Sequence, residues 1–394
     1  MCVTIKSFGH VFGAAFTVAA FCSTAALAGN LTTLHAFAAH RDGGNPHGAL
    51  LQLNNLLYGT TLAGGDHGDG SVFAIDPATG KETILYSFKG GRDGGQPIGS
   101  LVYQGNLLYG VTQAGGKSGV GTVYSVDPST GAEKVVHTFL GFSDGQQPSG
   151  GLTANNGILY GATWAGGSAG GGTVYSVDVA SRKETVLSAF GGIGTGQNPV
   201  GTLLYLNGGL YGVTSNGGAQ KHEESGTIFV VQATGGGGRT LYSFDQPGSF
   251  NDGLNPWGGL IANGNLLYGT TYGGGTDHCG TIYSFDPSSR TETVVHDFTC
   301  GSDGGYPFPT LVAQGGILYG ATSFGALGNC GGSGCGAAYA FDPSSSTIQS
   351  LHEFSGNSDG GNPEAELFAA GGMLYGTTFD GGKKGLGTVF ALTP

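Results

Sequence analysis

The sequence is poor in basic residues and in long apolar runs, and each shortage excludes a class of protein. Lys and Arg number 14 against 26 Asp and Glu, whereas a surface that binds nucleic acid must neutralise phosphates. Beyond the first thirty residues, no apolar run is long enough to cross a bilayer as a helix. We therefore expect no nucleic-acid partner and no membrane span in the mature chain.

Several motifs that mark catalytic sites are also missing. The chain has no H-E-x-x-H pair for zinc, no phosphate-binding loop and no dinucleotide fingerprint. Nucleotide chemistry is therefore disfavoured. This absence does not exclude an enzyme whose site is assembled from distant loops.

The N-terminal segment is typical of an export signal. Lys6 precedes an apolar stretch that reaches Cys22, and the small residues of "STAALA" end at Ala28. A positive start, a short hydrophobic middle and a small-residue end predict a signal peptide over residues 1–28. We expect residues 29–394 to be secreted, in an extracellular or periplasmic compartment, as a monomer.

A ten-residue phrase returns along the chain. "LLYGTTLAGG" at 56–65 recurs as "LLYGVTQAGG" at 107–116 and "LLYGTTYGGG" at 266–275. Its tyrosine occurs seven times, at Tyr58, Tyr109, Tyr160, Tyr211, Tyr268, Tyr319 and Tyr375. Tandem units of about fifty residues predict a β-propeller with one blade for each copy.

Each unit contains four short segments with β-strand composition, separated by turn residues. In the second unit they are residues 99–104, 106–113, 121–128 and 133–139. Neither face of the second segment is strongly polar, so its sheet should lie between two neighbours, and Gly110 should let the adjacent blade approach closely. The predicted fold is all-β: a seven-bladed propeller of four-stranded antiparallel blades.

The two ends of the chain complement each other. Residues 31–37, "LTTLHAF", match a fourth strand, and residues 387–394, "GTVFALTP", match a third strand. We expect the N-terminal strand to complete the last blade and close the ring, which removes two free sheet edges. Residues 29–394 should then form a single domain.

Four cysteines follow the signal peptide. Cys279 and Cys300 lie opposite each other in a predicted hairpin, and Cys330 and Cys335 flank "GGSG" in one loop. We expect these two disulfides, among three possible pairings, in an oxidising compartment. The alternative is a zinc site that includes His278, although the spacings match no common zinc pattern.

The frame "DGGQP…L…NLLYGVT…GG…GTVYSVDP" resembles the GloVer-type tandem repeat of the choice-of-anchor bacterial exported proteins, over essentially the whole mature chain. The resemblance implies export and a propeller-like repeat, without a settled biochemical activity. A second likeness, through "VDPSTGAEKV" at 126–135, is to quinoprotein dehydrogenase repeats. Those repeats carry a tryptophan where this chain has Leu85, Val136 and Leu187, so we expect no quinone cofactor.

An Asp-Gly pair recurs in the loop between the fourth strand and the next first strand. Thr195 replaces the acid in one copy, and the six aspartates are Asp42, Asp93, Asp144, Asp252, Asp303 and Asp359. An Asp before Gly usually caps its own turn, so we interpret the set as structural. Alternatively, a ring of six carboxylates could bind calcium or basic groups; we otherwise expect no cofactor and no metal.

Two positions of the repeat vary within the fixed frame. The residues after the Pro are His47, Ile98, Ser149, Val200, Trp257, Phe308 and Glu364, and those after "YGxT" are Leu62, Gln113, Trp164, Ser215, Tyr272, Ser323 and Phe379. If the strands run outwards from the axis, both loops lie at the mouth of the central channel. Aromatic rings and polar groups at such a mouth suit a sugar or another flat ligand. The predicted ligand-binding residues are His47, Gln113, Trp164, Trp257, Tyr272, Phe308, Glu364 and Phe379; alternatively, these side chains pack over their own loops.

Other polar clusters are weaker candidates. "GDHGDG", with Asp66, His67 and Asp69, and "KHEE" at 221–224 have neither calcium-loop nor zinc spacing, so we interpret them as solvated loop charges. Histidine recurs at one fourth-strand position, which indicates packing or a cross-strand bond: His35, His137, His296 and His352.

Two functions fit these features. The first is a secreted binding or scaffold module for an extracellular or envelope polysaccharide or protein. The second is a polysaccharide-cleaving hydrolase or lyase at the same mouth. A hydrolase needs two carboxylates about 5–9.5 Å apart, and a lyase needs a base such as His47 or Tyr272. A Glu364 isolated from Asp380 and from the loop aspartates would favour binding.

Overall fold

The computed structural model describes residues 30–38, 40–191, 194–219, 225–244, 251–326, 330 and 332–394. Within these ranges, thirty strands form seven antiparallel sheets, and the one helical element is a 3₁₀ turn at His40–Asp42. No helix in this part of the chain is long and apolar enough to span a membrane. The signal peptide predicted for residues 1–28 lies outside the described residues.

Each sheet is one blade of the propeller, and the blades succeed one another in chain order. The first strand, β1 (Leu31–Ala36), belongs to the last blade. Blade 1 contains β2 (Gly44–Pro46), β3 (Leu51–Leu53), β4 (Leu56–Ala63), β5 (Ser71–Ile75) and β6 (Glu82–Ser87). Blade 2 contains β7 (Gly95–Gln104), β8 (Leu107–Ala114), β9 (Thr122–Val126) and β10 (Glu133–Thr138). Blade 3 contains β11 (Gln146–Pro148), β12 (Thr153–Asn155), β13 (Ile158–Ala165), β14 (Thr173–Asp178) and β15 (Glu184–Ala189).

The remaining four blades repeat this pattern. Blade 4 contains β16 (Gln197–Leu206), β17 (Gly209–Asn216), β18 (Thr227–Gln232) and β19 (Gly238–Ser243). Blade 5 contains β20 (Ile261–Asn263), β21 (Leu266–Thr271), β22 (Thr281–Asp286) and β23 (Thr291–Asp297). Blade 6 contains β24 (Val312–Gln314), β25 (Ile317–Thr322), β26 (Ala337–Asp342) and β27 (Thr347–Glu353). Blade 7 contains β28 (Phe368–Ala370), β29 (Met373–Thr378) and β30 (Thr388–Leu392).

The N-terminal strand closes the ring. β1 pairs antiparallel with β30, with Leu31 opposite Leu392 and Ala36 opposite Thr388, and so supplies the outer strand of blade 7. The all-β fold, the seven blades and the closure are therefore as the sequence predicts. The closing strand joins the two ends of the chain in one sheet, which leaves no blade with a missing partner.

The apolar core is divided into layers between adjacent blades. In one layer Phe88, from the end of blade 1, packs edge-on against Tyr124 of blade 2 with ring centroids 4.9 Å apart. Both residues are fully buried. Since every blade contributes apolar side chains from both faces, the two-sided apolarity of the second strand is explained by these layers.

The expectation for Gly110 is wrong in one respect. Its neighbour is not the adjacent blade but Tyr124 on the next strand of the same blade, which lies directly opposite it in the sheet. A Cβ on Gly110 would lie 2.5 Å from Tyr124 Oη and 2.9 Å from a Leu101 methyl carbon. The glycine thus makes room for the third-strand ring that fills the layer between blades.

Around the axis the blades meet backbone to backbone. A Cβ on Gly99 would lie 2.3 Å from the carbonyl carbon of Gly150, and a Cβ on Gly150 would lie 2.5 Å from that of Gly201. All three glycines have positive φ, a conformation that other residues rarely adopt. These approaches hold the first strands of neighbouring blades close together and leave a cavity along the axis.

Both expected disulfides are present. Cys279 is bonded to Cys300 in blade 5, and Cys330 is bonded to Cys335 in the loop between the second and third strands of blade 6. All four predicted cysteines are therefore paired, and the alternative zinc site with His278 has no free thiolate.

Candidate functional site

The axial cavity opens on the face that carries the Pro loops and the Gly-rich loops. It has a volume of about 510 Å³, and every blade contributes to its wall. We call the residues directly after the Pro the upper ring and the residues two positions further the lower ring. Six of the eight predicted ligand-binding residues line this cavity: His47, Gln113, Trp164, Trp257, Phe308 and Glu364.

Three aromatic rings stack along one side of the mouth. Trp164 and Trp257 have ring centroids 5.2 Å apart and planes inclined by 15°, and Trp257 and Phe308 have centroids 5.2 Å apart and planes inclined by 20°. Trp164 comes from blade 3 and Trp257 from blade 5. The blade between them offers Val200 at the upper ring, and both tryptophans pack on the apolar cluster that includes it.

The aromatic side of the mouth continues through edge-to-face contacts. Phe308 meets His47 at 6.0 Å and Tyr272 at 6.4 Å, both nearly perpendicular, and His47 meets Phe379 at 6.1 Å. Tyr272 and Phe379 thus contact side chains of the cavity wall but do not line the cavity themselves. Gln113, from blade 2, lines the same cavity together with small and amide side chains.

Glu364 and His47 form a pair within the upper ring. The distance from Glu364 Oε2 to His47 Nε2 is 3.6 Å, and about a quarter of each side chain is exposed. Burial, and secondarily the charge of Asp380, raises the pKa of Glu364 to about 7. Burial lowers the pKa of His47. Near neutral pH this pair is therefore a neutral imidazole beside a carboxyl group that is half protonated.

Asp380 lies close enough to Glu364 to act on its titration, so Glu364 is not isolated. Asp380 itself accepts a hydrogen bond of 2.9 Å from Asn362 Nδ2. An isolated Glu364, which would have favoured a binding module over an enzyme, is therefore not observed. Tyr272 is a poor base, because burial and the neighbouring Tyr306 and Glu364 raise its pKa.

Sequence reasoning missed one acid of the cavity, Glu366. It occupies the lower ring, where the other blades place Ala49, Ser100, Gly151, Thr202, Gly259 and Thr310. Its side chain is half-buried and lines the cavity, and its burial raises the pKa of the carboxyl group to about 8. The signal was available in the sequence, since a single large charged residue stands in a column of small ones.

The loop aspartates bind their own turns. Asp144 accepts backbone N–H bonds from Leu140 at 2.9 Å and Gly141 at 3.2 Å, and it lies 3.2 Å from His137 Nε2. Asp93 accepts from Lys89 N and from the hydroxyl of Tyr86. The recurrent histidines bind the acid seven residues later, as in His296–Asp303 and His352–Asp359. These contacts hold the loop of one blade against its own fourth strand.

A second missed feature lies at the outer rim, where a glutamate near the start of a fourth strand faces the loop aspartate of the preceding blade. In each case Oε1 is buried without a hydrogen-bond partner among the described residues, at Glu82, Glu133, Glu184 and Glu292. Burial, and then hydrogen bonding and repulsion with Asp42, raises the pKa of Glu82 to about 9. Sequence analysis of a single repeat unit cannot predict this contact, because the glutamate and the aspartate belong to different blades.

Two of these rim clusters have the composition of a metal site. His35, Asp42 and Glu82, and likewise His137, Asp144 and Glu184, bring one ligand atom each within 4.8 Å of one another. Calcium takes six to eight oxygen ligands, which two carboxylates and an imidazole do not provide. At two other rims a tyrosine hydroxyl, from Tyr86 or Tyr242, binds the loop aspartate in place of the imidazole. Because the carboxyl pair persists without a metal ligand, a shared proton fits these clusters better than an ion.

The two other polar clusters singled out in the sequence, "GDHGDG" and "KHEE", provide no candidate site among the described residues. Asp66 is exposed and pairs with the exposed Arg41, with an Oδ1–Nε distance of 3.3 Å. The "KHEE" segment at 221–224 lies outside the described residues. The axial cavity is therefore the candidate site.

Sequence comparison identifies a repeat family. The family model described as the Gloeobacter/Verrucomicrobia repeat matches residues 11–143 and 119–333. No curated protein is significantly similar to the chain in sequence.

Comparison with solved structures finds propellers of low sequence identity. The chain is similar to an oligogalacturonate lyase from Vibrio parahaemolyticus, with 13% identity, a TM-score of 0.56 and coverage of 92% of this chain and 93% of that one. An oligogalacturonate lyase in complex with manganese gives 13% identity, a TM-score of 0.56 and coverage of 93% and 97%. The extracellular domain of a protein assigned as a hybrid two component system from B. thetaiotaomicron gives 12% identity and a TM-score of 0.59, covering 91% of this chain and 39% of that one. These likenesses concern the fold alone.

Proposed function

The chain belongs to the Gloeobacter/Verrucomicrobia repeat family, and we propose that it is an exported propeller that binds an extracellular saccharide at the mouth of its axial cavity. The observation that carries the proposal is the aromatic stack of Trp164, Trp257 and Phe308 beside that cavity. The blade frame does not require these rings. Other blades hold Ile98, Ser149 and Val200 at the position of Trp257 and Phe308, and Leu62, Gln113 and Ser215 at the position of Trp164. Side chains that the fold leaves free to vary are the ones that can serve a ligand.

The composition of the wall suits a saccharide. Sugars present apolar C–H faces to aromatic rings and hydroxyl groups to amides and hydroxyls. The aromatic rings of Trp164, Trp257 and Phe308 line the same cavity as the amide side chains of Gln96, Gln113 and Gln147. Within the described residues, neither indole N–H donates a hydrogen bond to protein, so both donors are available to a ligand.

A cleaving enzyme at the same mouth is the second candidate, and the Glu364–His47 pair favours it. A carboxyl group with a pKa near 7 can act as a general acid, and a neutral imidazole can act as a base. Two solved structures of similar fold are oligogalacturonate lyases. We do not propose galacturonate as the substrate, because none of the described residues that line the cavity is a Lys or Arg that could neutralise its carboxylates.

The test combines retention and turnover. Purified residues 29–394 are applied to a glycan array, and the bound glycans are then assayed for new reducing ends and for unsaturated products. The binding module predicts retention without turnover, whereas the enzyme predicts turnover that is lost in Glu364→Gln.

Two variants locate the site. Trp257→Ala removes the middle ring of the stack and should reduce retention about tenfold or more. Phe142→Ala is the matched control, because Phe142 is an aromatic residue that is 92% exposed and outside the cavity. Equal retention by both variants would place the site elsewhere and refute the proposal.

A further inference from the structure

We propose that the axial cavity binds the ammonium group of a cationic ligand, which is seated against Glu366 in the lower ring. The inference deepens the proposed function, since it rests on the same cavity and names the chemical class of its ligand. It predicts that the ligand is an amine or quaternary ammonium compound, for example a saccharide that carries free amino groups, rather than an acidic polymer.

Glu366 stands alone in the lower ring. Ser100, Thr202 and Thr310 are the most polar of its counterparts in the other blades. Among the described residues it makes no hydrogen bond and no ion pair, although its side chain lines the cavity and is half-buried. Withdrawing a carboxyl group from water without a protein partner costs free energy. The unpartnered acid therefore indicates a partner that comes from outside the chain.

The charges of the cavity select the sign of that partner. Among the described residues, the titratable side chains in the wall are His47, Glu364 and Glu366, and no Lys or Arg lines it. Burial lowers the pKa of His47, so it is neutral near neutral pH. The whole chain carries a formal net charge of −12. A cation entering this cavity meets two acids and no opposing fixed charge, whereas an anion meets no compensating group.

Other residues of the lower ring that line the same cavity supply further acceptors for an ammonium group. The hydroxyl oxygens of Thr202 and Thr310 accept backbone N–H bonds from Gly151 at 3.2 Å and Gly259 at 2.7 Å. Each of these oxygens has a second lone pair. The small residues around the lower ring leave room for a group of this size above them, inside a cavity of about 510 Å³.

Proton linkage follows from this arrangement. Burial raises the pKa of Glu366 to about 8, so the empty cavity holds a proton on this carboxyl group at neutral pH. A bound ammonium group stabilises the carboxylate, and the proton then leaves to the buffer. Affinity for a permanent cation should rise with pH by up to about tenfold per unit and level off above about pH 8.

Choline and 3,3-dimethylbutan-1-ol form the test pair, because they have the same shape and only choline is charged. Titration calorimetry at about pH 6 and about pH 8.5 measures both affinities on the folded protein. We expect choline to bind at least about tenfold more tightly than the alcohol at the higher pH. We also expect proton release, seen as a binding enthalpy that depends on the ionisation enthalpy of the buffer.

Variants of the acid complete the experiment. Glu366→Gln removes the charge with the same shape, and Glu366→Thr copies the residue of blades 4 and 6, which is known to fit this position. Both should abolish the preference for choline and the proton release. Asp277→Asn is the control, since Asp277 is exposed, lies outside the cavity wall and changes the net charge by the same amount.

The outcomes separate this inference from the proposed function. Failure of choline to bind, equal affinity for the alcohol, or a preference that survives both Glu366 variants would overturn the inference. Neutral oligosaccharides that still bind through Trp257 would then leave the saccharide function standing. Conversely, choline selectivity without retention of any glycan would support the inference and refute the saccharide ligand.

Discussion

The acids of the loop ring and the acids of the axial cavity differ in what surrounds them. Asp144 accepts two backbone N–H bonds and contacts His137, all within one blade. Glu366 has no protein partner among the described residues, and the nearest ion-pair partner of Glu364 comes from another blade. The loop acid recurs in six of seven blades, whereas each cavity acid occurs once. The repeated loop thus supplies hydrogen-bond partners for its own aspartate, whereas the unrepeated Glu366 has no such partner among the described residues.

The largest expected effect comes from the repeated frame. Gly110→Ala places a methyl group 2.5 Å from Tyr124 Oη, and overpacking of this kind should cost about 1–3 kcal/mol of unfolding free energy. Chemical denaturation measures the loss. The control is Gly91→Ala, because Gly91 is exposed and has only the Asp93 carboxylate near its Cβ position, at 3.9 Å. Equal stability of both variants would contradict the assignment of stability to the frame.

The second prediction compares one acid from each region. Asp144→Asn removes the charge from a capped turn and should lower the unfolding free energy by about 1–2 kcal/mol. Glu366→Gln should change it by less than about 0.5 kcal/mol near neutral pH, where the native carboxyl group already holds a proton. Chemical denaturation of both variants in the same buffer measures the two changes in unfolding free energy. A larger loss for Glu366→Gln would reverse the comparison.

The sequence predicted the frame because the frame is repeated. Seven copies, complementary ends and the Asp-Gly turns each follow from local chemistry that recurs. The stack of Trp164 on Trp257 could not be foreseen, since it joins residues of two blades that are not consecutive along the chain. The rim contacts of Glu82 with Asp42 could not be foreseen either, because they join residues of different blades whose relative tilt is set by packing.

The third prediction concerns the pH dependence of stability, and the rim glutamates determine its direction. Burial raises the pKa of Glu82 to about 9 and that of Glu292 to about 8, above the ordinary value of about 4.5. Between the ordinary pKa of about 4.5 and the raised pKa values of about 8 to 9, the folded state therefore binds more protons than the unfolded state. The free energy of unfolding should fall as the pH rises through this window. The melting temperature should be several degrees lower at about pH 9.5 than at about pH 6.

A substitution sharpens the pH experiment. Glu82→Gln removes one of these titrations, so its melting temperature should fall less steeply with alkaline pH than that of the wild type. Burial lowers the pKa of His137 and His296, and these groups oppose folding only as the pH falls below about 6.5. A variant with an unchanged alkaline slope would show that the rim glutamate is already ionised in the folded protein.

The most direct test of the ligand site uses the fluorescence of the two tryptophans. The chain has two tryptophans, and both belong to the stack beside the axial cavity. Tryptophan fluorescence, excited selectively over that of the 17 tyrosines, therefore reports on the mouth of that cavity. Titration with the oligosaccharide retained most tightly on the array should give a saturable change in tryptophan emission and protection from acrylamide quenching. Retention of the same oligosaccharide with unchanged emission and unchanged quenching would place the binding site away from the channel mouth and contradict the account.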